Sequence, residues 1–251
     1  MPHDHAIQCI HDPMLMLLSY LVSVLGSFTA LQVAIGIPTA QTSGQRWQAV
    51  IAGGVALGAG AIWAMHFIAM LACRMEIPVT YDLGITALSA IIGVAACMAG
   101  LAITGAGSFG WNKLLLAGLC MGLGVAGMHY TGMAAMRMPA EIVYDPMIVG
   151  LSVVIAVVAS TVALWLAFNL RGWVQMLGSA LVMGVAVCGM HYTGMYAAHF
   201  VPNGQDPALS TAGGLGGDYL GMGIFAVATV LLTVMLVMTM QRRQRRAAVS
   251  I

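Results

Sequence analysis

An all-α, polytopic membrane fold with seven transmembrane helices is predicted for this chain by three observations. Of its 251 residues 61% are hydrophobic and 7% charged, and the mean hydropathy is +0.94. Nine basic plus eight acidic side chains are too few to clothe a water-soluble body of that size. Seven apolar stretches are each long enough to cross a hydrocarbon core about 30 Å thick. The third observation is an internal repeat, described below.

The spans are predicted at 14–37, 47–73, 83–104, 111–136, 147–169, 173–198 and 219–240. They form one membrane domain, 14–240, between an outer tail, 1–13, and a basic cytoplasmic tail, 241–251. The first stretch follows MPHDHAIQCIHD, which has no Lys or Arg and two Asp, so it is expected to stay as a helix rather than be cleaved as a signal peptide. The second, fourth and sixth each open on a tryptophan, Trp47, Trp111 and Trp173, an interfacial side chain. Tyr81-Asp82 and Tyr144-Asp145 precede the third and fifth, where the aspartates suit helix N-caps. The seventh is followed by Arg242, Arg243, Arg245 and Arg246, a stop-transfer flank that lacks the aromatic interleaving of a nucleic-acid site. The longest gap, 200–218, leaves no room for a soluble catalytic or receiver domain.

Charge sorting gives an orientation. If the arginine cluster is cytoplasmic, Arg46, Lys113 and Arg171 also fall inside. All eight acids then lie outside with only Arg74 and Arg137. Seven basic residues inside against two outside places the N-terminus outside and the C-terminus in the cytoplasm of a bacterial inner membrane. The five cysteines are odd in number, and Cys97, Cys120, Cys188 and Cys73 lie in or beside apolar stretches, so no disulfide framework is expected, although Cys9 and Cys73 can meet outside the membrane.

The repeat aligns segments starting at Trp47, Trp111 and Trp173, 64 and 62 residues apart, so each unit is one helix up and one back. A Met-His pair follows each Trp by 18 or 19 residues: Met65-His66, Met128-His129 and Met190-His191. Repeats running in the same direction are related by an axis along the membrane normal, so three imidazoles at one depth can converge on it. Met70, Met133 and Met195 lie four residues after the histidines, on the same helical face. Arg74, Arg137 and His199 follow four residues later as a basic rim. Gly127, Gly132, Gly189 and Gly194 flank two of the histidines, with Ala64 and Ala69 around His66; Gly54, Gly58, Gly118 and Gly122 further along let helices approach closely. The even-numbered helices are expected to form the inner bundle.

A single intramembrane histidine often only bonds a backbone carbonyl, and any one methionine of 21 is ordinary core filling. Three histidines with matching Met partners instead suit a metal: imidazole accepts copper, iron or zinc, and thioether sulfur selects Cu(I). Haem through two axial histidines is the lesser cofactor reading. His3, His5 and His11 with Asp4 and Asp12 form a His-rich outer tail, a compositional hint only.

The string MHYT stands at Met128-His129-Tyr130-Thr131 and Met190-His191-Tyr192-Thr193, and in degenerate form at Met65-His66-Phe67-Ile68. By this motif, its number and its spacing, nearly the whole chain resembles the bacterial MHYT domain family. The resemblance implies a membrane sensor that holds copper through the motif Met and His residues and detects oxygen, carbon monoxide or nitric oxide. It also implies a cytoplasmic output, often a fused cyclic-di-GMP enzyme or histidine kinase. This chain ends soon after Arg246, so either a separate cytoplasmic partner or a non-signalling role is expected. Tyr130, Thr131, Tyr192 and Thr193 are expected to orient the imidazoles or bond a bound gas. A tyrosine in place of Phe67 is expected to be tolerated. The competing class is metal handling or transport through the same His/Met ring. Catalysis is not expected, since no paired carboxylates, nucleophile elbow or phosphate loop is present.

Overall fold

The computed structural model describes residues 7–170 and 172–249, the last eight by their helix alone. His3, Asp4, His5, Arg171 and the side chains of Arg242, Arg243, Arg245 and Arg246 therefore lie outside the described residues. Among the described residues, seven helices are long and apolar enough to cross a membrane. They are α1 (Pro13–Ala34), a second span built from α2 (Ser43–Val55), a π-helical segment (Ala56–Trp63) and α3 (Ala64–Ala72), then α4 (Leu83–Thr104), α5 (Trp111–Met133), α6 (Pro146–Asn169), α7 (Trp173–Tyr196) and α9 (Gly217–Val249). A four-residue helix, α8 (Pro207–Ser210), sits in the last connection.

Aspartates start the descending helices as the sequence predicts. Asp82 accepts the Ile85 N–H, and Asp145 accepts those of Met147 and Ile148. Asp12 caps α1 in the same way through Met14 and Leu15, and Pro13 and Pro146 occupy first-turn positions where no N–H is needed. The fourth and sixth spans end two or three residues earlier than expected, because the chain leaves the helix to form strands.

Those strands set the phase of the architecture. β1 (Ile10–His11) pairs with β2 (Cys73–Arg74), β3 (Thr80–Tyr81) with β4 (Met136–Arg137), and β5 (Ala140–Tyr144) with β6 (Ala198–Pro202), all antiparallel. β7 (Leu215–Gly216) adds to β3. Each pair closes a hairpin of one descending and one ascending helix at the same end of the bundle. Equivalent bonds run from Asp12 N to Ala72 O, Asp82 N to Ala135 O and Asp145 N to Ala197 O, at 2.8, 2.8 and 2.9 Å. The strands thus join α1 to the second span, α4 to α5 and α6 to α7, one helix out of step with the repeat counted from each tryptophan, and α9 stands outside these three hairpins. The three hairpins form a ring that α1 and α7 close, while α9 packs outside it on α1, the π-segment and α3.

Close approaches hold the ring. A Cβ on Gly26 would lie 2.5 Å from the Ala61 backbone, and one on Gly58 2.6 Å from that of Gly93. The expected inner bundle is only partly realised. The second span is 78% buried and the fourth 50%, but the sixth, at 33%, is no more buried than the third and less than the first, at 44%. Packing of α9 on the second span is the reason for the difference.

His66 stands 19 residues after Trp47, whereas His129 and His191 stand 18 after Trp111 and Trp173. The extra residue is absorbed where the second span turns π-helical, with i→i+5 bonds such as Ala64 N–H to Ala59 O. His66 is thereby returned to the same axis as its counterparts.

Candidate metal centre

His66 on α3, His129 on α5 and His191 on α7 meet, wholly buried, near the strand end of the ring. Their Nδ1 atoms converge: His66 Nδ1 lies 3.0 Å from that of His191 and 3.1 Å from that of His129. The rings stand edge to face, with centroids 4.8, 5.0 and 5.2 Å apart. All three Nε2 atoms point the other way and have no hydrogen-bond partner. His66 Nε2 rests against Gly132 and His129 Nε2 against Gly194, where an added Cβ would come within 2.4 Å.

This geometry fits a shared cation. A neutral imidazole has one N–H and one lone pair, and three inward Nδ1 atoms cannot all be satisfied by one another. An ion with ligands about 2.0 Å away separates them by roughly 3.3 Å, a few tenths more than observed. Ligand histidines usually donate their other N–H to an acceptor, and here that bond is lacking.

The six methionines are buried on either side of the triad. Met128 rests against Gly93 of α4, Met65 lies wholly inside α3's packing, and Met190 lines a cavity discussed below. Met70, Met133 and Met195 share an apolar cluster at the strand end with Phe67 and Tyr81.

The motif hydroxyls are placed differently from expectation. Tyr130 lies edge-on to His129, but its hydroxyl donates to Ser152 Oγ at 2.6 Å, since Ser152 gives its own proton to Val149 O. Tyr192 lies edge-on to His191, and its hydroxyl is buried beside Ser19 of α1. Thr193 bonds Gly189 O of its own helix, and Thr131 is half-buried. Phe67 and Ile68 are fully buried.

Residues not singled out in the sequence complete a threefold pattern. Ser19, Ser89 and Ser152 each stand seven residues after a cap aspartate and are buried. Ser89 receives the indole N–H of Trp63 at 3.0 Å, which stands in for the phenol that Phe67 lacks. The residue before each cap packs edge-on to the ring after a histidine: Tyr81 on Phe67, Tyr144 on Tyr130 and His11 on Tyr192. The strings DPMLMLLS and DPMIVGLS, alike at five of eight positions, show that α1 shares the cap-to-serine spacing of α6.

At the strand end the basic rim is neutralised. Arg74 pairs with Asp12 at 3.1 Å and Arg137 with Asp82, whereas His199 is exposed. The Arg74 guanidinium and two helix N–H groups hold the Asp12 carboxyl below its ordinary value of 3.8. For Asp82 the Ile85 N–H acts first and Arg137 second, in the same direction. Burial, then the neighbouring Tyr130, pushes the Tyr144 phenol up to about 12. Cys9 and Cys73, the one pair that the sequence allows to meet, are joined by a disulfide, Cα–Cα 5.1 Å, because β1 pairs beside β2.

The family model described as "MHYT: Bacterial signalling protein N terminal repeat" matches three times, at residues 60–117, 122–180 and 184–250. The chain belongs to the MHYT family. Its MHYT relatives include the bifunctional diguanylate cyclase/cyclic di-GMP phosphodiesterase MucR of Pseudomonas aeruginosa, 42% identical over 89% of this chain and 32% of that protein. The cyclic di-GMP phosphodiesterase NbdA of the same organism is 42% identical over 75% of this chain and 24% of its own length. The signaling protein YkoW of Bacillus subtilis is 34% identical over 77% and 25%. The chain thus matches about a quarter to a third of each relative. No solved structure matches it.

Proposed function

We propose that this MHYT chain is a membrane sensor module in which His66, His129 and His191 hold a copper ion and a diatomic gas, oxygen, carbon monoxide or nitric oxide, is the signal. The single observation that carries the reading is the convergence of three buried Nδ1 atoms on one another, with each Nε2 unpartnered among the described residues. Bound copper supplies a soft centre with a position open to a small ligand, and Met65, Met128, Met190, Met70, Met133 and Met195 are its candidate auxiliary ligands. The role of the protein is to hold the three imidazoles at one depth and to link their helices to α9, which packs on the π-segment and α3. The output passes to a cytoplasmic signalling partner. Relatives named as cyclic di-GMP enzymes support an output of that kind.

Transit of an ion along the axis is opposed by Ile62, Val125 and Val187, one turn beyond the histidines on the same helices, which line an apolar cavity. The orientation follows the basic bias, with the strand end outside.

Elemental analysis of purified protein expressed with copper tests the site. The chain is expected to carry copper and the His129→Ala/His191→Ala variant none; full occupancy in the variant sinks the assignment. Labelling of Ser250→Cys tests the orientation, with reaction expected only after permeabilisation.

A further inference from the structure

One helical turn from the triad, on the side away from the strands, the ring encloses an apolar cavity. Ile62, Val125 and Val187 each precede a histidine by four residues and all line it, so it begins about 6 Å from the imidazoles at 1.5 Å per residue. Met190, the neighbour of His191 in the chain, is part of the wall. The space open to the centre of a water-sized sphere is about 20 Å³. By that measure about 10–15 Å³ takes one water-sized molecule, so the cavity has room for one small guest. An apolar cavity of this kind stays dry and accepts apolar guests.

Eight of the residues that line the cavity belong to the third hairpin, α6 and α7. Ala156 and Ala163 of α6 line or flank it, and counted from their cap aspartate they correspond to Gly93 and Gly100 of α4. There the chain has filled the space: a Cβ on Gly93 would be 3.2 Å from Met128 Cγ, and one on Gly100 2.9 Å from Met121 Sδ. At α6 the void remains, and two of its small wall residues, Ala159 of α6 and Ala186 of α7, are half-exposed on the lipid-facing side.

We propose that this cavity is the docking and entry chamber for a small apolar gas, which enters from the bilayer between α6 and α7 past Ala159 and Ala186. The identity of the guest as a sensed gas rests on the sensor reading above; the existence and route of the chamber do not. Apolar gases partition into hydrocarbon, so a lateral mouth draws on a richer supply than water, and a guest held against Met190 stands one residue from a histidine of the triad.

The test uses metal-free full-length protein in nanodiscs with dissolved dioxygen, which broadens nearby methyl signals in NMR. Methyls of Ile62, Val125 and Val187 are expected to broaden more than those of Val22 and Val50, which are buried away from the cavity wall. Ala159→Leu is expected to abolish the excess, and Ala186→Val serves should that variant not fold. Equal broadening of the cavity methyls and of the buried methyls outside it, or an excess unchanged in both variants, overturns the proposal. Because no metal is present, absence of copper from the purified chain would sink the metal reading while leaving this result standing.

Discussion

The second span and the fourth and sixth spans each place an imidazole on the same axis, by different means. In the fourth and sixth, an uninterrupted α-helix carries His129 and His191 at 18 residues from its tryptophan, and the tyrosine and threonine that follow are half-buried. In the second, 19 residues and a π-segment reach the same point, and Phe67 and Ile68 are fully buried. The cause of the second difference is α9, which packs on this helix alone among the three: Leu232 fills the place beside Gly60, and Leu71 meets Gly217 and Gly221. Where α9 covers the motif, a hydroxyl without a partner is costly, so the degenerate letters of the first repeat record its packing and not a weaker histidine. The first repeat is therefore the one that joins the triad to the last helix.

The largest expected effect tests the π-segment as a register device. Deleting Ala59 restores the 18-residue spacing and lets the segment return to α-helix, so metal content and thermal midpoint are expected to stay near those of the parent. Deleting the lipid-facing Leu119 from α5 has no bulge to absorb it and turns His129 by about 100° off the axis, with loss of bound metal and of stability. Equal damage from the two deletions, measured by elemental analysis and thermal unfolding, would show that the π-segment does not set register.

A smaller effect is expected at the glycines that back the imidazoles. Gly132→Ala drives a Cβ to 2.4 Å from His66 Nε2, a buried ring that cannot swing away, whereas Gly127→Ala meets only Ile92 at 3.9 Å. Overpacking of this kind costs about 1–3 kcal/mol. Gly132→Ala should lower both stability and metal affinity, and Gly127→Ala neither. The first repeat already carries Ala69 at the position of Gly132, so the ring there is seated differently; if Gly132→Ala is silent, the close contact does not position His66.

Much of this was legible in the sequence because the bilayer imposes few choices. Spans were read from apolar length, the Asp82 and Asp145 caps from residue type, and the convergence of His66, His129 and His191 from equal depth in a parallel repeat. The two-residue strands were not, since pairs such as Thr80 with Arg137 have no period and depend on chain ends brought together by the bundle. With them went the joining of α1 to the second span, and the Cys9–Cys73 pair was legible only as two cysteines able to meet outside the membrane. The hydrogen-bond partner of the Tyr130 hydroxyl was not legible either. Proximity in sequence to a histidine says nothing about the direction of a side chain whose partner, Ser152, is on another helix.

That partner defines the smallest effect. Tyr130 and Trp63 occupy different positions in their repeats yet each gives a proton to an equivalent serine, Ser152 or Ser89. Loss of one such bond costs about 1 kcal/mol, so Tyr130→Phe and Trp63→Phe should each lower stability by that order without changing metal content. Phe67→Tyr, expected from sequence to be tolerated, instead puts a hydroxyl at a fully buried site whose serine is already occupied by Trp63, and should destabilise by a similar amount or more. In the Trp63→Phe background Ser89 is free, and the same substitution should restore the phenol–serine bond seen at Tyr130. The double-mutant cycle decides the point: a strongly favourable coupling between positions 63 and 67 means that Trp63 replaces the missing tyrosine of the first repeat, and simple additivity means that the two rings serve separate contacts.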